Sequence, residues 1–231
     1  MSQKNRYLFR GRISERKFRD LLRLFAEDVT ADRAARLVGL NHKTAVAIYT
    51  LLRRRMTELA MLECPFQGQI EVDESYFGPA RVRGKPGRGA GKKTPVFGIL
   101  ERGGRVHCQI VKNCSKSTLQ AILKGRVIHS SEIHSDGFRA YDGLVEAGFA
   151  KHHRLRHGDG EFALGSAHIN GIESFWSYAK RRLAKFNGIR KTSFPVFLKE
   201  TEFRFNTRHG DLYKVMLKSC REKPLRAPQL E

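Results

Sequence analysis

Residues 168 to 183 read HINGIESFWSYAKRRL. At 100° per residue, Ile169, Ile172, Trp176, Ala179 and Leu183 recur every three or four positions, which predicts a helix with one buried stripe. Asn170, Glu173, Ser177 and Lys180 form a second, polar stripe along the edge of the first. Glu173 and Lys180 are seven residues apart, two helical turns, so they point nearly the same way. Taken alone, Glu173 is an ordinary solvated charge beside an apolar stripe. A site at this position needs partners elsewhere in the chain.

The chain has 231 residues, enough for one mid-sized domain and a small one. Lys and Arg number 44 against 23 acids, a formal charge of +21. So large an excess repels itself unless a polyanion is the partner, and nucleic acid is the usual one. An anionic membrane is the competing polyanion, but no window approaches 18 uninterrupted apolar residues. The N-terminal MSQKNRYLFRGR lacks a signal-peptide apolar core. A soluble intracellular protein without a membrane partner is expected. Cys64, Cys108, Cys114 and Cys220 are scattered with no C-x-x-C pair, so neither a zinc ribbon nor a disulfide framework is expected.

Upstream, residues 14 to 27 place Phe18, Leu21, Leu22 and Phe25 on one helical face, with Ser14 as N-cap. Residues 30 to 55 then give a short helix capped by Thr30, a turn at Gly39 and a second helix capped by Asn41. Small residues sit where two helices would cross and glycine where the turn needs positive φ, the helix-turn-helix pattern. The second helix would present Asn41, His42, Lys43, Thr44 and Ala47 to a major groove, and Arg53, Arg54 and Arg55 to phosphates. A plain helical hairpin with a solvated basic end is the alternative. Residues 1–60 are assigned to this all-α domain and 61–231 to a second domain.

From residue 69 the period changes. QIEVDESYF (69 to 77) alternates as a strand, with Glu71, Asp73 and Ser75 on one face and Glu74 on the other. Residues 95 to 102 and 105 to 111 make a hairpin around Gly103-Gly104. A short helix (116 to 124), a strand ending at Asp136, a helix (138 to 148), a strand (151 to 157), a loop, the opening helix and a last helix (194 to 208) follow. That order suggests a mixed sheet with a three-strand antiparallel start and flanking helices, as in the ribonuclease H-like α/β fold. There the first strand, the fourth strand and a late helix converge, which would bring Asp73, Asp136 and Glu173 together. Converging carboxylates repel unless cations neutralise them; two Mg²⁺ ions about 3.5–4 Å apart, with oxygen ligands, would do so.

Three stretches, VDESYFG (72 to 78), HSDGFRAY (134 to 141) and NGIESFW (170 to 176), occur in this order before a basic run. With them the chain resembles the DDE-type transposases of bacterial insertion sequences, in the ISXO-like branch, over roughly residues 66 to 210. The resemblance implies that Asp73, Asp136 and Glu173 are the catalytic, metal-binding triad, with two Mg²⁺ per site and Mn²⁺ able to substitute. It implies that Lys180 contacts DNA near the site; Asn170 lies in the motif, and some relatives count an Asn in the catalytic set. It further implies binding of double-stranded transposon ends and target, cleavage, and joining of the 3′-hydroxyl by transesterification. A homodimer or larger assembly on DNA and a cytoplasmic, nucleoid-associated location in a bacterium go with it. Relatives often carry an N-terminal zinc ribbon, which this chain lacks. A DNA-binding regulator derived from an inactive transposase, or a nuclease of the same fold, are the rivals.

Residues 81 to 93, RVRGKPGRGAGKK, contain six cations and four glycines but fail the phosphate-loop pattern at Pro86 and Lys93. Arg81, Arg83, Arg88 and Lys92 are read instead as an arm meeting phosphates, together with Asn170, Lys180 and Arg181. His152, His153, His157 and His168 match no recognised metal-ligand spacing. His134, two residues before Asp136, is either a supporting group for the site or an ordinary strand histidine. Glu71 is the acid most easily mistaken for a member of the triad, because it shares the face of Asp73.

Overall fold

A computed structural model of the chain describes residues 5–61, 65–78, 93–154 and 169–226. Two compact units divide it, Met1–Leu62 with Thr207–Glu231, and Glu63–Asn206.

In the first unit, α1 (Glu15–Ala26) buries Phe18, Leu21, Leu22 and Phe25, and the Ser14 side chain accepts from the Lys17 N–H at its start. Helix α2 (Ala31–Val38) ends at Gly39, whose φ of 64° is open to glycine at no steric cost. Helix α3 (His42–Met61) begins where the Asn41 side-chain Oδ1 accepts from the Lys43 N–H. The C-terminal helix α7 (Leu212–Glu222), capped by Asp211, belongs to this unit as well. The boundary drawn at residue 60 therefore needs correction, because 61–231 is not one compact body. Arg55 shows the physical reason: its guanidinium donates to the Ser219 carbonyl and hydroxyl and to the Lys223 carbonyl.

The second unit is built on a five-stranded sheet in the order β3-β2-β1-β4-β5. Its strands are β1 (Gln69–Phe77), β2 (Thr94–Glu101), β3 (Val106–Ile110), β4 (Glu132–Ser135) and β5 (Lys151–Arg154). Strand β2 pairs antiparallel with both β1 and β3; β4 is parallel to β1, and β5 to β4. This is the ribonuclease H-like mixed sheet that the strand order suggested.

Each face of the sheet has its own core. Ile70, Val72, Phe97, Ile99 and Ile133 meet Leu119 and Leu123 of α4 (Lys116–Arg126), together with Tyr141, Leu144 and Phe149. On the opposite face, Val96, Leu100, Val106 and Cys108 meet α5 (Asn170–Ala184) and α6 (Phe194–Asn206). Helix α5 contributes Ile172, Phe175, Trp176, Ala179 and Leu183, nearly the stripe read from its periodicity.

One local expectation changes. Residues 138 to 148 form a single 3-10 turn, Arg139–Tyr141, and then irregular turns, not a helix. Positive φ at Gly143 (78°) and Gly148 (104°) and extended backbone at Asp142 interrupt it. Strand β5 is described only as far as Arg154; residues 155–157, with His157 and His168, lie outside the described residues. Among the described residues no helix is long and apolar enough to cross a membrane.

Candidate active site

Strand β1 alternates between the two cores. Ile70 and Val72 go to the α4 side, while Glu71, Asp73 and Ser75 face α5. A polar strip therefore runs under α5 through the middle of the sheet. Asp73 lies at its centre, Asp136 follows the last residue of β4, and Glu173 is in the first turn of α5. Asp136 and Glu173 are close enough for their charges to act on Asp73.

The electrostatics record this convergence. The Asp73 carboxyl is pushed up to about 6, first by burial and then by the charges of Asp136 and Glu173. The Glu74 backbone N–H and the Trp176 indole favour its charged form without reversing the shift. Glu74, on the α4 side, is pushed up to about 7 by burial, with Asp73 and Asp136 adding to it. Tyr141 Oη donates to Glu74 Oε1 in a short hydrogen bond. Two carboxyls that resist ionisation, Asp73 and Glu74, with the oxygen donors of Asp136 and Glu173 acting on Asp73, have the chemistry that suits a hard divalent cation.

Glu71 has a different role. Its Oε2 accepts from the Ile172 N–H at 2.9 Å, and its Oε1 from Arg102 Nε at 2.9 Å. At 1% exposure it is a buried strand carboxylate that caps α5, whose own Ile169 supplies no side-chain cap. Glu71 thus fixes where α5 starts, and with it Glu173. Gly171 allows the approach, since a Cβ there would lie 2.8 Å from Glu71 Oε2.

Gly98 was not singled out from sequence. It pairs with Asp73 across β1 and β2, and a Cβ on it would lie 2.5 Å from Trp176 Cζ2. A glycine inside a strand is the general signal of such close approach. The Glu74–Tyr141 contact had no comparable signal, because the turn carrying Tyr141 read as helix.

Other expected site residues divide by burial. Asn170, Lys180 and Arg181 are exposed on α5. On α3, Asn41, His42, Lys43, Ala47 and Arg54 are exposed and Thr44 is half-buried. Arg53 and Arg55 are buried, at 7% and 5%, and need correction as phosphate contacts. Arg53 stacks over the rings of Phe25 and Tyr49, and Arg55 is held by α7 and Glu58. Both follow the inward stripe of α3. Arg81, Arg83, Arg88 and Lys92 lie outside the described residues.

A ribonuclease H-like sheet with acids gathered beneath a late helix defines a class of polynucleotidyl-transferase-like folds. Within it, residues 65–206 match the model of the ISXO2-like transposase domain, and the chain belongs to that family. It is 33% identical over 183 residues to an uncharacterised protein of the transposable element ISH50 from Halobacterium salinarum, covering 71% of this chain and 62% of that one. The chain thus spans less than two thirds of that relative's length. An uncharacterised transposase-like protein of Haemophilus influenzae is 43% identical over 102 residues, 44% of this chain and 81% of that one. Among solved structures, the catalytic core domain of BIV integrase aligns with 68% of this chain and 98% of its own, at 15% identity and a TM-score of 0.40. The Mos1 mariner paired-end complex with Mn aligns with 87% and 77%, at 13% identity and a TM-score of 0.34.

Proposed function

We propose that the chain is a DDE transposase that binds transposon-end double-stranded DNA, cleaves at the end and joins the 3′-hydroxyl to target DNA. Asp73, Asp136 and Glu173 would hold two Mg²⁺ ions, with Mn²⁺ able to substitute. The observation that carries this reading is the placement of Asp73 in the middle of β1, Asp136 just after β4 and Glu173 in the first turn of α5, within residues that match the ISXO2-like transposase domain; the upward push on Asp73 by burial and by the charges of Asp136 and Glu173 agrees with it. When bound, such ions supply Lewis acidity and charge neutralisation at a phosphodiester.

The chain's own groups do the rest. Glu71 and Trp176 hold α5 on the sheet and so position Glu173. Exposed Lys180 and Arg181, with Asn170, would meet the DNA backbone beside the acids. In joining, the 3′-hydroxyl oxygen forms a bond to the target phosphorus and loses its proton to solvent. The bond from that phosphorus to the target 3′-oxygen breaks, and the departing oxygen takes up a proton. Bond number is conserved, so no external energy source is required.

End recognition is assigned to α2 and α3. A glycine turn at positive φ and an exposed face carrying Lys43, Ala47 and Arg54 suit a helix laid in a major groove. Two ends must be processed together, which favours a dimer or larger assembly on DNA. A cytoplasmic site of action, on the nucleoid of a bacterial host, follows from that substrate.

The test is a labelled duplex of the DNA flanking the gene, precut at the 3′ end, given Mg²⁺ or Mn²⁺ and a plasmid target. Label joined covalently to plasmid, and lost in Asp136→Asn, is the expected result. Cutting without joining would make the chain a nuclease of this fold. Binding with neither activity would make it a regulator derived from a transposase.

A further inference from the structure

Strand β4 carries more than Asp136. Glu132, His134 and Asp136 alternate along the extended chain and so share the face of the sheet that looks toward α5. Strand β5 pairs with β4 in parallel, setting His134 beside His153 and Glu132 beside Lys151. The two imidazoles lie face to face, with ring centroids 4.6 Å apart and planes 14° from parallel. Glu132 Oε2 is 3.6 Å from His153 Nε2, while Oε1 accepts from Lys151 Nζ at 2.9 Å. One ligand atom from each of Glu132, His134 and His153 lies within 4.8 Å of the other two.

We propose that Glu132, His134 and His153 form a second metal site, distinct from the acid triad, that takes Zn²⁺ or a similar borderline transition ion. Donor chemistry separates the two sites. The triad offers only carboxylate oxygens, which suit Mg²⁺ and Mn²⁺, whereas two imidazoles and one carboxylate suit zinc. Tetrahedral binding at about 2.0–2.1 Å sets ligand atoms about 3.3 Å apart, so small side-chain rotations close the cluster. His134 is almost fully buried, whereas the side chains of His153 and Glu132 are 37% and 29% exposed. A buried anchor with two accessible ligands gives an ion an entry path and leaves its fourth position to solvent.

Coulomb attraction alone would not bring a dication to a chain of charge +21, so coordination by imidazole must supply the affinity. The ion would take the place of Lys151 at Glu132, a pair with the lysine side chain 64% exposed and weakly held. Its role would be positional. Among the described residues β5 has four residues and lies at the edge of the sheet, and a metal bridging it to β4 would fix the strand whose next residue is Asp136. The site would exist whether or not the triad joins DNA.

The test uses the full chain carrying Asp73→Asn, Asp136→Asn and Glu173→Gln, which removes the triad as a competing site. Co²⁺ serves as the probe, read by its visible absorption. The expected result is one equivalent of Co²⁺ with d–d bands, displaced by Zn²⁺ and not by Mg²⁺. Adding His153→Ala or Glu132→Gln should weaken that binding at least tenfold while far-UV circular dichroism stays unchanged. Zn²⁺ should also raise the midpoint of thermal unfolding by several degrees in the parent and not in these variants. Glu132→Gln keeps the side chain's shape, so it decides the matter if His153→Ala fails to fold. Absence of the bands, or bands that persist at full strength in Glu132→Gln, would overturn the assignment.

Discussion

Gly98→Ala is the sharpest perturbation of the candidate active site, because it adds one methyl group and alters no acid. The new Cβ would lie 2.5 Å from Trp176 Cζ2, 2.9 Å from Trp176 Cη2 and 2.9 Å from Ile172 Cδ1. Ordinary contact begins at 3.4 Å, so the indole must withdraw by about 1 Å. It has little room to tilt: Trp176 is 4% exposed and lies against Phe77 and Phe175. The displacement therefore passes to α5, and Glu173 is one turn from Trp176 on that helix. Overpacking of this kind costs about 1–3 kcal/mol. A catalytic group moved by about 1 Å can cost up to about a hundredfold in rate.

Urea unfolding and the strand-joining assay, run on the same preparation, read the two effects. Joining should fall between tenfold and a hundredfold with stability lowered by about 1–3 kcal/mol and end binding unchanged. Trp176→Phe in the Gly98→Ala background removes the clashing six-membered ring of the indole. It should recover part of the stability, with a coupling of about 1 kcal/mol in the double-mutant cycle. Full joining together with a stability change under about 0.5 kcal/mol would refute the reasoning, because it would mean that α5 does not rest on β2 at Gly98.

Three further outcomes are expected. Glu71→Gln should cost about 2–4 kcal/mol in urea unfolding, since it breaks a buried ion pair with Arg102 and weakens the cap on α5; no loss would make that pair incidental. Glu202, on α6, is buried against Lys199, His107 and the Cys108 N–H. Burial opposes its charge, but His107 and Lys199 more than offset this and hold its carboxyl below the ordinary value of 4.5. Its stabilising contribution is thus present above pH 4.5 and lost as pH falls through the lowered folded value; Glu202→Gln should flatten that part of the pH–stability curve, and an unchanged curve would exclude Glu202 as a source. Arg54→Ala should weaken end binding and reduce its salt slope by about one, with stability altered by less than about 0.5 kcal/mol. Arg55→Ala should instead unfold at lower urea, by about 2–4 kcal/mol, because Ser219 and Lys223 lose their donor; the reverse pattern would return Arg55 to the DNA face.

What the sequence disclosed follows from range. Periodicity is local, so the stripe on α5, the alternation of β1 and the turn at Gly39 were all legible, and the strand order carried the sheet topology with them. Burial on α3 was legible in principle too, since Arg53 and Arg55 continue its inward stripe; three adjacent arginines masked that pattern by reading as a charge run. The helix expected over 138 to 148 failed because tertiary packing of Tyr141, Leu144 and Phe149 matters more there than local propensity, and two glycines adopt positive φ. The reading of 194 to 208 as the last helix misses α7, although α7 has its cap at Asp211 and an apolar spacing at Leu212, Met216 and Cys220; nothing in that spacing says which unit the helix joins. The meeting of Glu71 with Ile172, or of His134 with His153, depends on which elements lie side by side, and that is set only by the assembled sheet.

Charge of opposite sign divides the work within one chain. Forty-four cations against 23 acids make the molecule attractive to any polyanion at long range. Yet the acids are not scattered so as to cancel that field evenly: Asp73 and Glu74 are neighbours on β1, where burial raises the cost of ionising either, and the charges of Asp136 and, for Asp73, Glu173 add to it. A phosphodiester arriving on the surrounding lysines and arginines would meet repulsion at the one place where it must react. Dications held by the carboxylates would reverse that sign over a few ångströms without touching the outer field. Attraction to DNA and chemistry on DNA then depend on different charges, and this separation is why neutralising one carboxylate is expected to abolish joining while leaving binding in place.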